Sequence, residues 1–341
     1  MQPMATGDGS MHSSRRKAFV ADVLLFSVAV FWGSNFVFIK DVVERTTELA
    51  AGSIVAGTLL YLVLRYVVAT GIFAVAQPRS WLGSSRGDWA RGGLLGAFYL
   101  TALILQTVGL QRTSPGVSGF ITGMSVAMVP FLYWFVARRS PGHWQIIGAV
   151  IATVGLGALS LQGDFSIRWG DAITLLGTLF YALHIMTTGF FAPKVRPTTL
   201  AFTQMAVSTL ALVVITPFVV QITFDFPWQV WAVVVWTALS GTIYAFFIQS
   251  WAQRYTTSTH AAILLGFESV FAAIAGIIAG MDSVTWRLLA GGSLMLTGVF
   301  IVELLPGGKQ IVEEIEAEEG GARSEPTDAS GPRARGGRHD A

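Results

Sequence analysis

Ten apolar stretches, each about the length of a helix that crosses a bilayer, dominate this chain. They cover residues 20–39, 57–76, 92–111, 114–136, 144–162, 171–191, 199–221, 228–251, 257–280 and 287–304. A hydrocarbon core about 30 Å thick needs roughly 20 apolar residues at 1.5 Å of rise each. The breaks carry turn-forming and basic residues, such as Pro78-Arg79-Ser80, Ser140-Pro141-Gly142 and the Pro193 to Pro197 segment. The first stretch leads through Trp32, Asn35 and Lys40 instead of a small-residue cleavage site, so it reads as a span and not a removable signal.

Composition agrees with that reading. Only 12% of the residues are charged while 53% are hydrophobic, and the mean hydropathy is +0.60. A soluble domain carries about 25% charge. This chain lacks the charge for a water-facing surface, so its solvent is lipid. It contains no cysteine, which excludes disulfides, thiolate nucleophiles and Cys-ligated metals. The expected fold is an all-α integral membrane protein with ten transmembrane helices.

The basic residues set an expected orientation. With the N-terminus in the cytoplasm, the inner segments hold Arg15, Arg16, Lys17, Arg79, Arg86, Arg91, Arg138, Arg139, Lys194, Arg196, Arg254 and Lys309, with four arginines of the tail. The outer segments hold only Lys40, Arg45, Arg112, Arg168 and Arg287. A multi-pass protein of the cell membrane follows, with both termini inside.

The chain also repeats itself. At an offset of 143, residues 105–155 overlie 248–298 without a gap, and Gln106 meets Gln249, Gly123 meets Gly266, Gly148 meets Gly291 and Gly155 meets Gly298. The first stretch overlies the sixth at 149, pairing Asp22 with Asp171; the second overlies the seventh at 139, pairing Thr70 with Thr209. A repeat of five helices must enter the membrane in opposite senses in the two halves. Such inverted repeats are a hallmark of secondary transporters, whose site lies near the midplane between them. The expected organisation is a disordered segment 1–19, repeats at 20–162 and 163–305, and a disordered tail at 306–341 that carries the cluster Glu313, Glu314, Glu316, Glu318 and Glu319.

Four phrases carry a family resemblance: "FWGSNF" (31–36), "VLRY" (63–66), "GLQRTSPGVSGFITG" (109–123) and "GTIYAFFIQSWAQRYTTSTHAAILLGFESVFAAIAG" (241–276). Over residues 20–304 the chain resembles the EamA-type, ten-helix branch of the drug/metabolite transporter superfamily. The resemblance implies two inverted five-helix repeats around a central cavity, with helices 5 and 10 set aside from it. It also implies small metabolites as substrates, amino acids among them, often exported. The chain departs from the pattern in having Ala137-Arg138 and Met281-Asp282 where a glutamate ends helices 4 and 9. It has Ser269 where a proline often follows the glutamate within helix 9.

Polar residues inside the spans are the candidate site. A charge at mid-bilayer costs about 2.5–3.5 kcal/mol on insertion scales, so it usually faces the bundle interior with a partner. Glu268, inside helix 9, can carry a coupling proton, hold a substrate ammonium, or simply bond to a neighbouring helix. Arg65 can draw a carboxylate, neutralise Glu268, or snorkel outward. His184, opposite Asn35 in the repeat, can relay protons or make an interhelical hydrogen bond. Gln106 and Gln249 are repeat mates fit to face a cavity from both sides. Tyr99 and Tyr244, with Trp32, Tyr181 and Trp251, can stack on a substrate or lie at the interface. Gly148, Gly155, Gly157, Gly291, Gly292 and Gly298 read as close packing of helices 5 and 10, within the chain or across a homodimer. Pro130 and Pro217 should kink or unwind spans 4 and 7.

No HExxH, phosphate loop or His-rich cluster is present, so an enzyme, a metal or cofactor site and a nucleic-acid partner are not expected. The runner-up is a structural or signalling multispan protein. It would not need a repeat-related polar interior. The expected function is transport of a small molecule, proton-coupled, exchanging or facilitative.

Overall fold

The computed structural model describes residues 8–137, 142–160, 168–256 and 258–305; the tail beyond 305 and the basic pair Arg138-Arg139 lie outside them. Fourteen α-helices follow in order: α1 Asp8–Leu49, α2 Ile54–Ala76, α3 Arg79–Leu82, α4 Arg86–Leu110, α5 Pro115–Gly123, α6 Ser125–Ala137 and α7 His143–Ser160. After them come α8 Trp169–Phe191, α9 Pro197–Ile215, α10 Trp228–Ala238, α11 Ala245–Ala252, α12 Ser258–Gly266, α13 Glu268–Ile278 and α14 Trp286–Leu304. A π-helical segment, Leu239–Tyr244, joins α10 to α11.

Among the described residues, eight helical spans are long and apolar enough to cross a membrane. The fifth and tenth stretches form shorter apolar helices, His143–Ala158 and Trp286–Ile301. Large apolar side chains such as Val75, Phe135, Leu210 and Ile278 point outward, as a lipid-solvated surface requires.

The first helix is longer than its apolar stretch at both ends. Residues 8–19, expected to be disordered, belong to α1; Met11 and the run Arg15 to Ala18 favour a helix, and no proline follows Pro3 in this segment. Beyond Lys40 the helix persists to Leu49 with an Asp41–Arg45 pair at i,i+4. It stops where Ala51 and Gly52 take positive φ, and the Ser53 hydroxyl then caps α2. Pro217 does end a helix, in the 3-10 turn Thr216–Phe218 after α9. Pro130 does not break span 4, since α6 continues through it and the break falls earlier, at Met124.

Contacts between equivalent stretches are reciprocal. α7 packs on α14: a Cβ on Gly155 would strike Gly291 and Met295, and one on Gly298 would strike Gly148 and Ala152. As α7 advances from 148 to 155, its partner retreats from 298 to 291, so the two helices run antiparallel. Gly148, Gly155, Gly291 and Gly298 are spent on this contact within the chain, while Gly292 faces the Phe120 ring. Spans 4 and 9 cross likewise, with α5 on α13 and α6 on α12. Gly123 abuts Ser269 while Gly266 abuts Val126.

At one end of the bundle, the Lys40 ammonium donates to the carbonyls of Leu110 (3.1 Å) and Thr113. Beside it the Asp282 carboxylate accepts from the Gly116 N–H at 2.7 Å and attracts Lys40. The loop between α4 and α5 is thereby tied to α1 and to the α13–α14 connection. At the other end of α1, Asp22 pairs with His260 at 3.1 Å, both partners partly exposed.

Candidate substrate cavity

Eight of the residues singled out in the sequence converge on one interior cavity: Trp32, Asn35, Arg65, Tyr99, Gln106, Tyr181, His184 and Glu268. Thr122 and Ser125 complete its polar lining. The walls come from α1, α2, α4, α5, α6, α8, α12 and α13, with none from α7 or α14. The cavity holds about 40 Å³. That admits a few water molecules and is too small for a metabolite with the walls as they stand.

Glu268 sits mid-span as expected, but it is not mid-helix. Phe267 interrupts the span, and Glu268 is the first residue of α13. A carboxylate there meets the positive end of the half-helix dipole. Only 8% of the residue is exposed, and its carboxylate has no hydrogen bond or ion pair among the described residues. The backbone around it is pinned from α1, where a Cβ on Gly33 would meet the Glu268 carbonyl at 2.5 Å.

Arg65 is 2% exposed and does not snorkel. Its Nε donates to Thr242 Oγ1 at 2.9 Å and one terminal nitrogen donates to the Tyr61 hydroxyl at 3.3 Å. Tyr61 in turn donates to Thr237 at 2.9 Å. Its remaining N–H groups have no bond among the described residues. Glu268 is the carboxylate that shares the cavity with it.

Much of the remaining polarity is consumed inside the protein. Asn35 accepts from Trp236 Nε1 at 3.0 Å and donates to Ser240 at 3.3 Å. Gln106 donates to Thr122 and accepts from Tyr181, both at 2.8 Å. His184 Nε2 lies 3.0 Å from Gln204 Oε1, so its interhelical bond is made. Tyr99 is wedged edge-on among Tyr181, His184 and Phe246, at centroid separations of 5.4, 5.1 and 4.5 Å.

Two expected residues are elsewhere. The Tyr244 hydroxyl is 2.7 Å from Ser27 Oγ on α1. Gln249 is buried outside the lining, with its Nε2 unpaired. Nothing in the sequence pattern marks the π-helical segment, yet it supports the site from behind: the Gly241 carbonyl accepts from Trp32, Ser240 takes Asn35 and Thr242 takes Arg65. π-helical turns are rare and frequent at functional sites. Among the described residues no cluster of three metal-ligating side chains occurs.

The sequence profile of the EamA-like transporter family matches the chain twice, over residues 19–161 and 168–304. The chain belongs to the EamA-like transporter family. It is thus an EamA-type protein of the drug/metabolite transporter superfamily, and a membrane transporter by family. This EamA-like chain is 29% identical over 290 residues to a protein of Archaeoglobus fulgidus described as "Uncharacterized transporter", covering 84% of this chain and 87% of that one. A second protein of the same organism, with the same description, is 21% identical over 82% of this chain and 97% of its own length. A solved structure described as "Crystal structure of protein" shares the fold with a TM-score of 0.56, at 14% identity, across 87% of this chain and 99% of that chain.

Proposed function

We propose that this chain is a secondary transporter of the cell membrane, which moves a small metabolite outward by alternating access through the cavity around Glu268. An amino acid or related compound is the substrate class this reading favours. The observation that carries it is the presence of an unpartnered carboxylate, Glu268, and a buried guanidinium, Arg65, on the lining of one small interior space. A structural or signalling protein has no use for such a charge, which insertion alone would penalise by about 2.5–3.5 kcal/mol.

In this reading residues 20–162 and 163–305 are two five-helix units of opposite orientation, with both termini cytoplasmic. The antiparallel run of α7 against α14 supports it, because an axis along the membrane normal would leave equivalent helices parallel. A dimer would have to use a face other than Gly148, Gly155, Gly291 and Gly298. Glu268 takes a proton or a substrate ammonium in turn, and movement between the two couples them. Its titratable neighbours in the cavity are Arg65, Tyr99, Tyr181 and His184.

The test is efflux and uptake in reconstituted vesicles across a pH range, with a panel of amino acids and related metabolites. Glu268→Gln keeps the shape and loses the charge, so it should assemble normally and abolish the pH dependence of transport. Unchanged pH dependence would remove Glu268 as the coupling group.

A further inference from the structure

We infer that Ser125 is a second ligand of the transported solute, acting as the first-half counterpart of Glu268; this rests on the cavity being the transport site. The offset that overlies spans 4 and 9 is 143, and Ser125 plus 143 is Glu268. The structure gives the coincidence physical content. Met124 breaks span 4 with φ −63° and ψ −15°; Phe267 breaks span 9 with φ −62° and ψ −12°. Ser125 and Glu268 are each the first residue of the half-helix that follows.

The surroundings of the two breaks also match. Gly123 lies against Ser269, and Gly266 lies against Val126, residues that are themselves 143 apart. Ser125 and Glu268 therefore hold equivalent places on the two sides of one crossing, and both line the cavity. Ser125 is 5% exposed, and its hydroxyl has no hydrogen-bond partner among the described residues. A buried hydroxyl that close to others of its kind usually finds a bond; here Gln106, Asn35 and His184 have found theirs elsewhere.

The chemistry selects a solute class. Glu268 takes a cationic group, while Ser125 donates to or accepts from a neutral or anionic oxygen. A solute with an ammonium and an oxygen function a few bonds apart satisfies both. When the half-helices exchange places during access to either face, each end of the solute keeps a partner.

The chain has no cysteine, so Ser125→Cys, nearly isosteric, creates a single reporter thiol. The full chain, reconstituted in liposomes at alkaline pH, is treated with a trimethylammonium methanethiosulfonate and with its sulfonate analogue. Each rate is divided by that of the reagent with a free thiol. Adding Glu268→Gln should lower the cationic-to-anionic ratio by roughly ten-fold, the effect of one nearby charge at an effective dielectric of about 20, with Arg65 lining the cavity in both proteins. A thiol that reacts only after denaturation would overturn the proposal, and so would a ratio that Glu268→Gln leaves unchanged. Failure of the transport reading would appear separately, as unchanged transport in Glu268→Gln whatever the labelling pattern.

Discussion

The hydroxyls of Thr70 and Thr209 lie 2.7 Å apart, and the two residues are 139 apart in the chain, the same offset at which the second stretch overlies the seventh. On the two-unit reading proposed above, this contact is a place where the two halves meet on their axis. Polar bonds between membrane helices average about 0.6 kcal/mol, so Thr70→Val should cost roughly that much. Unfolding of the purified protein in mixed micelles reads the loss, and transport should barely change.

Gly241→Ala should do the reverse. A Cβ there would come within 2.7 Å of both a terminal nitrogen of Arg65 and the Asn35 amide nitrogen. Both are ends of flexible side chains that can give way, so the penalty on folding should stay near the 1–3 kcal/mol typical of overpacking. Both also line the cavity, so transport should fall about ten-fold or more, with KM rising. Normal transport in this variant would mean that Arg65 and Asn35 need no fixed position.

Arg65→Met separates stability from activity. Burying a cation is costly, and well-packed apolar replacements of buried charges are often neutral or stabilising by about 1–4 kcal/mol. The variant should therefore retain or gain thermal stability and lose transport. Arg65→Lys should rescue little, because a point ammonium cannot reach Thr242 and Tyr61 together as the guanidinium does.

Lys40→Met should loosen the end of the bundle that Lys40 ties. With its bonds to Leu110 and Thr113 gone, the first turn of α5 should become reachable. A Val117→Cys reporter in this cysteine-free chain should react with an impermeant maleimide several-fold faster in the Lys40→Met background. Equal rates would show that the tie does not hold that end closed.

The spans were legible in the sequence because lipid leaves a long, continuous signature, and the site was legible in part because charge in lipid is conspicuous. Arg65 and Glu268 stand out for that reason. Ser125 does not stand out alone, since a serine costs little in a helix; adding 143 to its number is the one signal that would have singled it out. Gln249 illustrates the limit of the repeat. Its mate Gln106 lines the cavity, yet Gln249 follows the π-helical segment, which turns the face of everything after it. Sequence alignment fixes depth along a helix and leaves rotation about it open. The early start of α1 was hidden for a related reason, because hydropathy reports where lipid begins and not where hydrogen bonding ends.

The ties at the two ends of α1 differ in kind. At one end a half-buried ammonium grips two carbonyls; at the other a histidine and an aspartate meet in partial contact with water. Dissolved ions weaken an exposed pair within a Debye length of about 8–10 Å but reach a shielded ammonium much less. Whenever the His260 imidazole carries a proton, it is therefore the Asp22 end of α1, and not the Lys40 end, that ionic strength can loosen.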